Sequence, residues 1–163
     1  MEKFKKVIKK QRIILFIVLI LALIKWFIID FVSVTGKSMT HTVENHQIMI
    51  GMKMFYSINR LDVVAVKGED NQLSIKRIIG LPGDKVEYRQ NTLYINNSRI
   101  EEPYLDGYKQ GEEFSTSDFM IERVPDNHYF ILGDNRRDSL DSRHLGFIHE
   151  KNIILKSIFL YGY

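Results

Sequence analysis

A run without a polar side chain from residue 13 to residue 24, Ile-Ile-Leu-Phe-Ile-Val-Leu-Ile-Leu-Ala-Leu-Ile, constrains this chain more than any other feature. It resumes after Lys25 as Trp-Phe-Ile-Ile and reaches Val32 with only Asp30 interrupting. As a helix, residues 13–32 would measure about 30 Å, the thickness of a hydrocarbon core. Lys25 can snorkel to the far interface beside Trp26, so it does not forbid a span. Ahead of the run, residues 1–12 hold six lysines and arginines against Glu2 alone. A basic segment followed by an apolar one also describes a cleaved signal peptide. No Ala-x-Ala motif follows, however, and the run is long. The expectation is therefore an uncleaved transmembrane anchor at 13–32, with the basic residues 1–12 in the cytoplasm and residues 33–163 on the far side.

The net charge of +3 belongs to that N-terminal end: removing its six cations and one anion from the totals of 23 and 20 leaves 17 against 19. A slightly acidic remainder does not make a nucleic-acid-binding surface. There is no cysteine, so neither a disulfide framework nor a thiolate metal site is available. The five histidines lack metal-ligand spacing, and neither a metal nor a cofactor is expected.

Beyond residue 32, helical periodicity gives way to short β-rich runs separated by turn residues, at 47–54, 61–67, 73–79, 85–89, 92–96, 128–132 and 152–160. Gln90-Asn91 and Asn96-Asn97 read as hairpin turns on either side of Leu-Tyr-Ile. Residues 101–117, with Pro103, two glycines and several charges, read as an excursion over the surface. The pattern predicts an all-β domain after the anchor. The last strand runs almost to Tyr163, so a single span is expected.

Within this pattern, residues 73–84 set Lys76 and Arg77 side by side in a strand. Alternation sends them to opposite faces, with Ser74 and Ile78 beside Lys76 and with Ile75 and Ile79 beside Arg77. A desolvated arginine keeps its proton, whereas a desolvated lysine can lose its own and become a base. One reading is thus a catalytic Lys76; the other is an edge strand with both cations in water. Two further stretches carry unusual chemistry. Val-Thr-Gly-Lys-Ser-Met-Thr-His-Thr at 34–42 places Ser38 within about 20 Å of Val32. Gly-Asp-Asn-Arg-Arg-Asp-Ser-Leu-Asp-Ser-Arg-His-Leu-Gly at 133–146 packs acids, arginines and hydroxyls together.

In order along the chain, an N-terminal anchor, a Ser-Met box, a Lys-Arg strand ending Gly-x-Pro-Gly-Asp, and a Gly-Asp-Asn-Arg box closing Ser-x-Asp-Ser-Arg-x-x-Gly resemble the type I signal peptidases. The resemblance implies a β-rich, barrel-like catalytic domain and a serine-lysine dyad carried by Ser38 and Lys76. It implies that Ser139 orients the lysine, that the Ser38 backbone N–H forms the oxyanion hole with Gly36 allowing close approach, and that Arg77, Asp134, Asp141 and Arg143 form supporting ion pairs. It further implies exported preproteins as substrates, contact with membrane lipids and the secretion machinery, no nucleic acid, and a bacterial cell membrane location with a cytoplasmic N-terminus.

The chain departs from the family pattern at three places. His41 stands where proline is expected after Ser-Met, which should loosen the turn behind the nucleophile. Arg60-Leu61-Asp62 replaces Arg-Gly-Asp, and Ser74 occupies a position often aromatic in relatives. His41 also raises a rival serine-histidine mechanism with Asp138 or Asp141 as orienting acid. A second alternative is a specialised homologue that binds and assists particular secreted or pilin-like subunits, with cleavage secondary.

Overall fold

A computed structural model describes residues 2–40, 42–68, 71–106 and 116–160. The basic segment and most of the apolar run form one helix, α1 (Glu2–Phe27). It stops earlier than expected. After Ile28 the chain enters strand β1 (Ile29–Ser33), which pairs antiparallel with β2 (Ile48–Met52) from Ile29 against Met52 to Ser33 against Ile48. The last residues assigned to an anchor at 13–32 are therefore part of the sheet. Among the described residues no helix is long and apolar enough to cross a membrane. The purely apolar part of α1, residues 13–24, is only about 18 Å long. Asp30 closes the joint by pairing with Lys25 at 2.6 Å and with Lys53 at 2.7 Å.

The remaining strands are β3 (Val63–Lys67), β4 (Leu73–Gly80), β5 (Val86–Arg89), β6 (Thr92–Ile95), β7 (Ser98–Ile100), β8 (Phe119–Ile121), β9 (His128–Leu132), β10 (Ile148–His149) and β11 (Ile153–Leu160). One open seven-stranded sheet runs β1-β2-β11-β3-β4-β9-β10 and a four-stranded one runs β7-β6-β5-β8, with antiparallel pairing throughout. The β-rich expectation holds. Both predicted hairpin turns are present: Gln90 and Asn91 have φ of 47° and 57°, and Asn96 and Asn97 have 50° and 66°. Two successive positive φ values give the turn a twist that matches the strands it joins.

Alternation along β3 and β4 explains the core. Val63, Ala65 and Ile75 pack with Val34, Met39, Val43 and Leu155 on one side, while Val64, Val66 and Ile78 pack with Tyr129, Ile131 and Ile153 on the other. A third cluster joins Ile79, Phe130 and Leu132 to Val86, Tyr88 and Leu93 of the smaller sheet. Each such side chain contributes about 1.5–3 kcal/mol by burial, so the centre of β4 is held from both sides. This removes the edge-strand reading: β4 lies between β3 and β9, and Lys76 and Arg77 are 4% and 8% exposed. Of the segment at 101–117, residues 107–115 lie outside the described ones, and the described ends are not a simple surface excursion. Glu102, Leu105 and Thr116 are buried, and Pro103–Leu105 forms a 3-10 turn.

Candidate active site

Ser38 sits in the loop between β1 and β2. Hydrogen bonds from Val34 N to Gln47 O and from His46 N to Val34 O close the base of that loop. Val34, Met39 and Val43 plug into the core, and the amides of Thr42 and Val43 donate to Met39 O. Burial of Met39 thus fixes the residue directly after Ser38, leaving the serine itself half-buried at the surface.

Lys76 approaches from β4 and donates from Nζ to Ser38 Oγ at 2.9 Å and to Ile75 O at 3.1 Å. Burial drives its pKa below the ordinary lysine value, against opposing pulls from the charges of Asp141 and Asp134. No carboxylate pairs with it directly among the described residues. Arg77 faces the contrary situation. Its Nε and Nη2 grip the Asp134 carboxylate at 2.9 and 2.6 Å, and its Nη1 donates to Leu61 O at 2.8 Å. Asp134 is wholly buried and also accepts from Thr42 Oγ1 at 2.5 Å, tying the β4 cation to the serine loop.

The loop after β9 completes the arrangement. Asn135 donates from its backbone N to Ser38 O and from Nδ2 to Lys37 O, each at 3.0 Å. Gly133 makes that contact possible, because a Cβ there would collide with the Ser139 side chain and with Ser38 O. Asp141 receives the Gly133 N–H at 3.0 Å and two Arg143 nitrogens at 2.8 Å, while capping the short helix α2 (Ser142–Leu145) through Arg143 N. Burial alone would raise the Asp141 pKa; the hydrogen bonds from Arg143 and Gly133 outweigh it, and the net shift is downward.

The expected site residues Ser38, Lys76, Arg77, Asp134, Asp141, Arg143 and Ser139 therefore converge. The Ser139 hydroxyl is buried against the Gly133 backbone, and among the described residues no hydrogen bond joins it to Lys76. Gly36 has a φ of +103°, which strains any other residue, and nothing lies within 4 Å of a Cβ placed there. His41 lies outside the described residues.

The comparisons agree with the geometry. The model for the family described as signal peptidase, peptidase S26, matches residues 6–162. Signal peptidase I S of Bacillus subtilis (strain 168) is 39% identical over 169 residues, covering 98% of this chain and 91% of that protein. Signal peptidase I of Bacillus caldolyticus is 38% identical over 155 residues, covering 88% and 85%. A crystal structure of a signal peptidase I from Enterococcus faecalis V583 superposes with a TM-score of 0.59 at 37% identity, covering 63% of this chain and 98% of that one. The chain belongs to the S26 signal peptidase family. It is a serine peptidase, and hence a hydrolase.

Against that family background, Leu61 is informative. It stands where glycine was expected and has φ of +68°, a conformation costing a non-glycine residue about 1–2 kcal/mol. Its carbonyl serves Arg77 and its N–H donates to Ile78 O at 2.7 Å, so the strained residue is bonded to β4 on both sides of its own peptide. The residues missed in the sequence are Thr42, Asn135, Glu102, Tyr104 and Arg136. Asn135 and Arg136 lay inside a recognised box and could have been included with it. Glu102 and Tyr104 had no signal beyond an acidic residue beside a proline.

Proposed function

We propose that this chain is a membrane-attached serine endopeptidase that removes N-terminal signal peptides from exported preproteins, with Ser38 as nucleophile and Lys76 as general base. The observation that carries this reading is the 2.9 Å contact between Lys76 Nζ and Ser38 Oγ, made by a lysine that is 4% exposed. Burial favours the neutral amine, whose lone pair can take the hydroxyl proton across that distance as Oγ attacks the scissile carbonyl. The Ser38 backbone N–H stabilises the oxyanion. The protonated Lys76 then gives its proton to the departing amine, and the neutral amine activates water to hydrolyse the acyl-enzyme. Arg77 with Asp134 and Arg143 with Asp141 hold the two loops around this pair; Ser139 packs against the Gly133 backbone beside Ser38 O.

Attachment to the cell membrane is assigned to α1. Its side chains from Ile13 to Leu21, and Trp26 and Phe27, are exposed on all sides, as suits an apolar medium. The basic first turns then remain on the cytoplasmic side and residues 33–163 on the far side, where the secretion machinery delivers substrate.

The test uses purified full-length protein in detergent and a preprotein with small residues at the cut. Release of mature product by the parent, and by neither Ser38→Ala nor Lys76→Ala, is the expected result. Cleavage that persists in Lys76→Ala would overturn the assignment of the base.

A further inference from the structure

Arg77, bonded to Asp134, and Arg136, bonded to Gly133 O, both run up against the 3-10 turn that follows β7. The Tyr104 ring lies 3.9 Å from the Arg77 guanidinium carbon. Arg136 Nη2 donates to Glu102 Oε1 at 2.5 Å and to Tyr104 OH at 3.3 Å, while its Nε donates to Gly133 O at 3.2 Å. Glu102 receives Tyr104 OH at 2.8 Å on Oε1 and Tyr88 OH at 3.0 Å on Oε2. Glu102 is 3% exposed and Arg136 4%. An acid, a guanidinium and two phenols in so dry a place need one another, because each would be costly alone.

From this arrangement we infer that Glu102 and Tyr104 are positioning residues for hydrolysis, setting the serine loop from a segment outside all three sequence boxes. The inference rests on the reading of Ser38 and Lys76 as the reacting pair. The path has only three contacts on each side. Tyr104 stacks on Arg77, Arg77 holds Asp134, and Asp134 takes the hydroxyl of Thr42 in the serine loop. Glu102 holds Arg136, Arg136 holds the Gly133 carbonyl, and the same short segment presents Asn135 to the carbonyls of Lys37 and Ser38. The turn thus sets two contacts at once: where Ser38 sits and how the charge of Asp134 is balanced.

That second contact gives the network an electrostatic readout. The charged groups around Lys76 are Asp134 and Asp141 from the loop after β9, Arg77 on its own strand, Arg143 on α2, and, one layer further in, the Arg136–Glu102 pair. Removing the Glu102 charge while keeping its shape leaves Arg136 without a counter-ion beneath the segment that holds Asp134. Extra positive charge near Lys76 favours the neutral amine. Tyr88 and Tyr104 cannot make good the loss, since burial raises both phenols, Tyr88 to about 12, and keeps them protonated.

The experiment compares full-length parent, Glu102→Gln, Glu102→Asp, Tyr104→Phe and Tyr104→Leu, with Ser38→Ala and Lys76→Ala alongside, in steady-state cleavage of a preprotein across pH. The expected result for Glu102→Gln is a 10- to 100-fold fall in kcat with KM changed less than threefold, and an acid limb displaced to lower pH. Tyr104→Phe keeps the stack and stays within a few-fold of the parent; Tyr104→Leu loses it and falls at least tenfold in kcat. Glu102→Asp recovers part of the loss. If Glu102→Gln proves too unstable to assay, the contrast between Tyr104→Phe and Tyr104→Leu decides the matter alone. Parent-like kcat and pH profile in Glu102→Gln, or indistinguishable Tyr104 variants, overturn the inference. Activity surviving in Ser38→Ala or Lys76→Ala instead overturns the reading of the dyad.

Discussion

Lys76 and Arg77 are adjacent in the sequence and almost equally shut off from water, yet their surroundings treat the two charges in opposite ways. Arg77 has a buried carboxylate in fork-to-fork contact, a carbonyl and an aromatic face; Lys76 has a hydroxyl, a backbone carbonyl and the buried Val64 as its cross-strand partner. One position stabilises a permanent cation, and the other penalises it. The difference follows from side-chain chemistry, because only the ammonium can escape the penalty by giving up a proton. A strand with both faces covered can therefore carry a structural charge and a titratable base one residue apart.

The largest expected effect comes from exchanging the two chemistries. Lys76→Arg and Lys76→Ala should each lower cleavage by about 10⁴-fold, the arginine variant failing because its guanidinium does not deprotonate. Stability should move the other way for Lys76→Met. The folded-state pKa of Lys76 lies below its unfolded value, so its burial costs nothing above the ordinary lysine range and costs progressively more as pH falls, levelling off once the native lysine is protonated. Urea denaturation at several pH values should show the Met variant gaining on the parent over that descent.

Breaking the Arg77 side should mainly cost stability. Arg77→Met leaves Asp134 buried without its partner, worth about 3–5 kcal/mol. Adding Asp134→Asn should recover a sizeable part of that loss, and a double-mutant cycle measures the coupling.

Asp141→Asn sharpens the contrast more gently. It should cost about 2 kcal/mol at neutral pH through weakened bonds to Arg143 and Gly133. Because the folded Asp141 pKa is depressed, that contribution is present above the unfolded value and disappears as acid titrates the native carboxylate, so parent and variant should converge at low pH. The same change removes a negative charge that raises the Lys76 pKa, so the acid limb of the rate should move to lower pH.

The smallest effect is expected at Leu61→Gly. Relief of the φ of +68° is offset by lost packing against the cluster around Ile79, and the net should stay within about 1 kcal/mol, where burial alone would predict a loss of 2–5. Thermal unfolding in the presence and absence of the Arg77→Met change would show whether the strain is coupled to that arginine.

The strands best read from sequence were those with alternation or a clear turn beside them, such as 92–95 between two asparagine turns and 128–132 before Gly133. Strand β1 was concealed because Ile-Asp-Phe-Val continues an apolar run whose length, not its period, dominated the reading. β7, β8 and β10 are two or three residues long, too short for a period to show. The pairing of Ser38 with Lys76 could be expected only by resemblance, because nothing local relates residues 38 positions apart. Ser139 lies beside Gly133 and Ser38 O, but the direction of its hydroxyl depends on packing that no spacing encodes. The Glu102–Arg136 pair was illegible for a related reason: its members are surface-type residues until tertiary contacts bury them.

The one-residue joint between α1 and β1 makes the helix a ruler. Ile28 alone separates Phe27 from Ile29, and it is fastened on both sides, its N–H donating to Ile24 O and its carbonyl receiving Lys53 N. β1 is in register against β2, and only five steps lead from Ser33 to Ser38. On the proposed reading, with α1 at the membrane and Ser38 as nucleophile, this pairing would set the depth of the cut, and lengthening the joint by one or two glycines should shift or blur the cut position while leaving the chemistry at Ser38 unchanged.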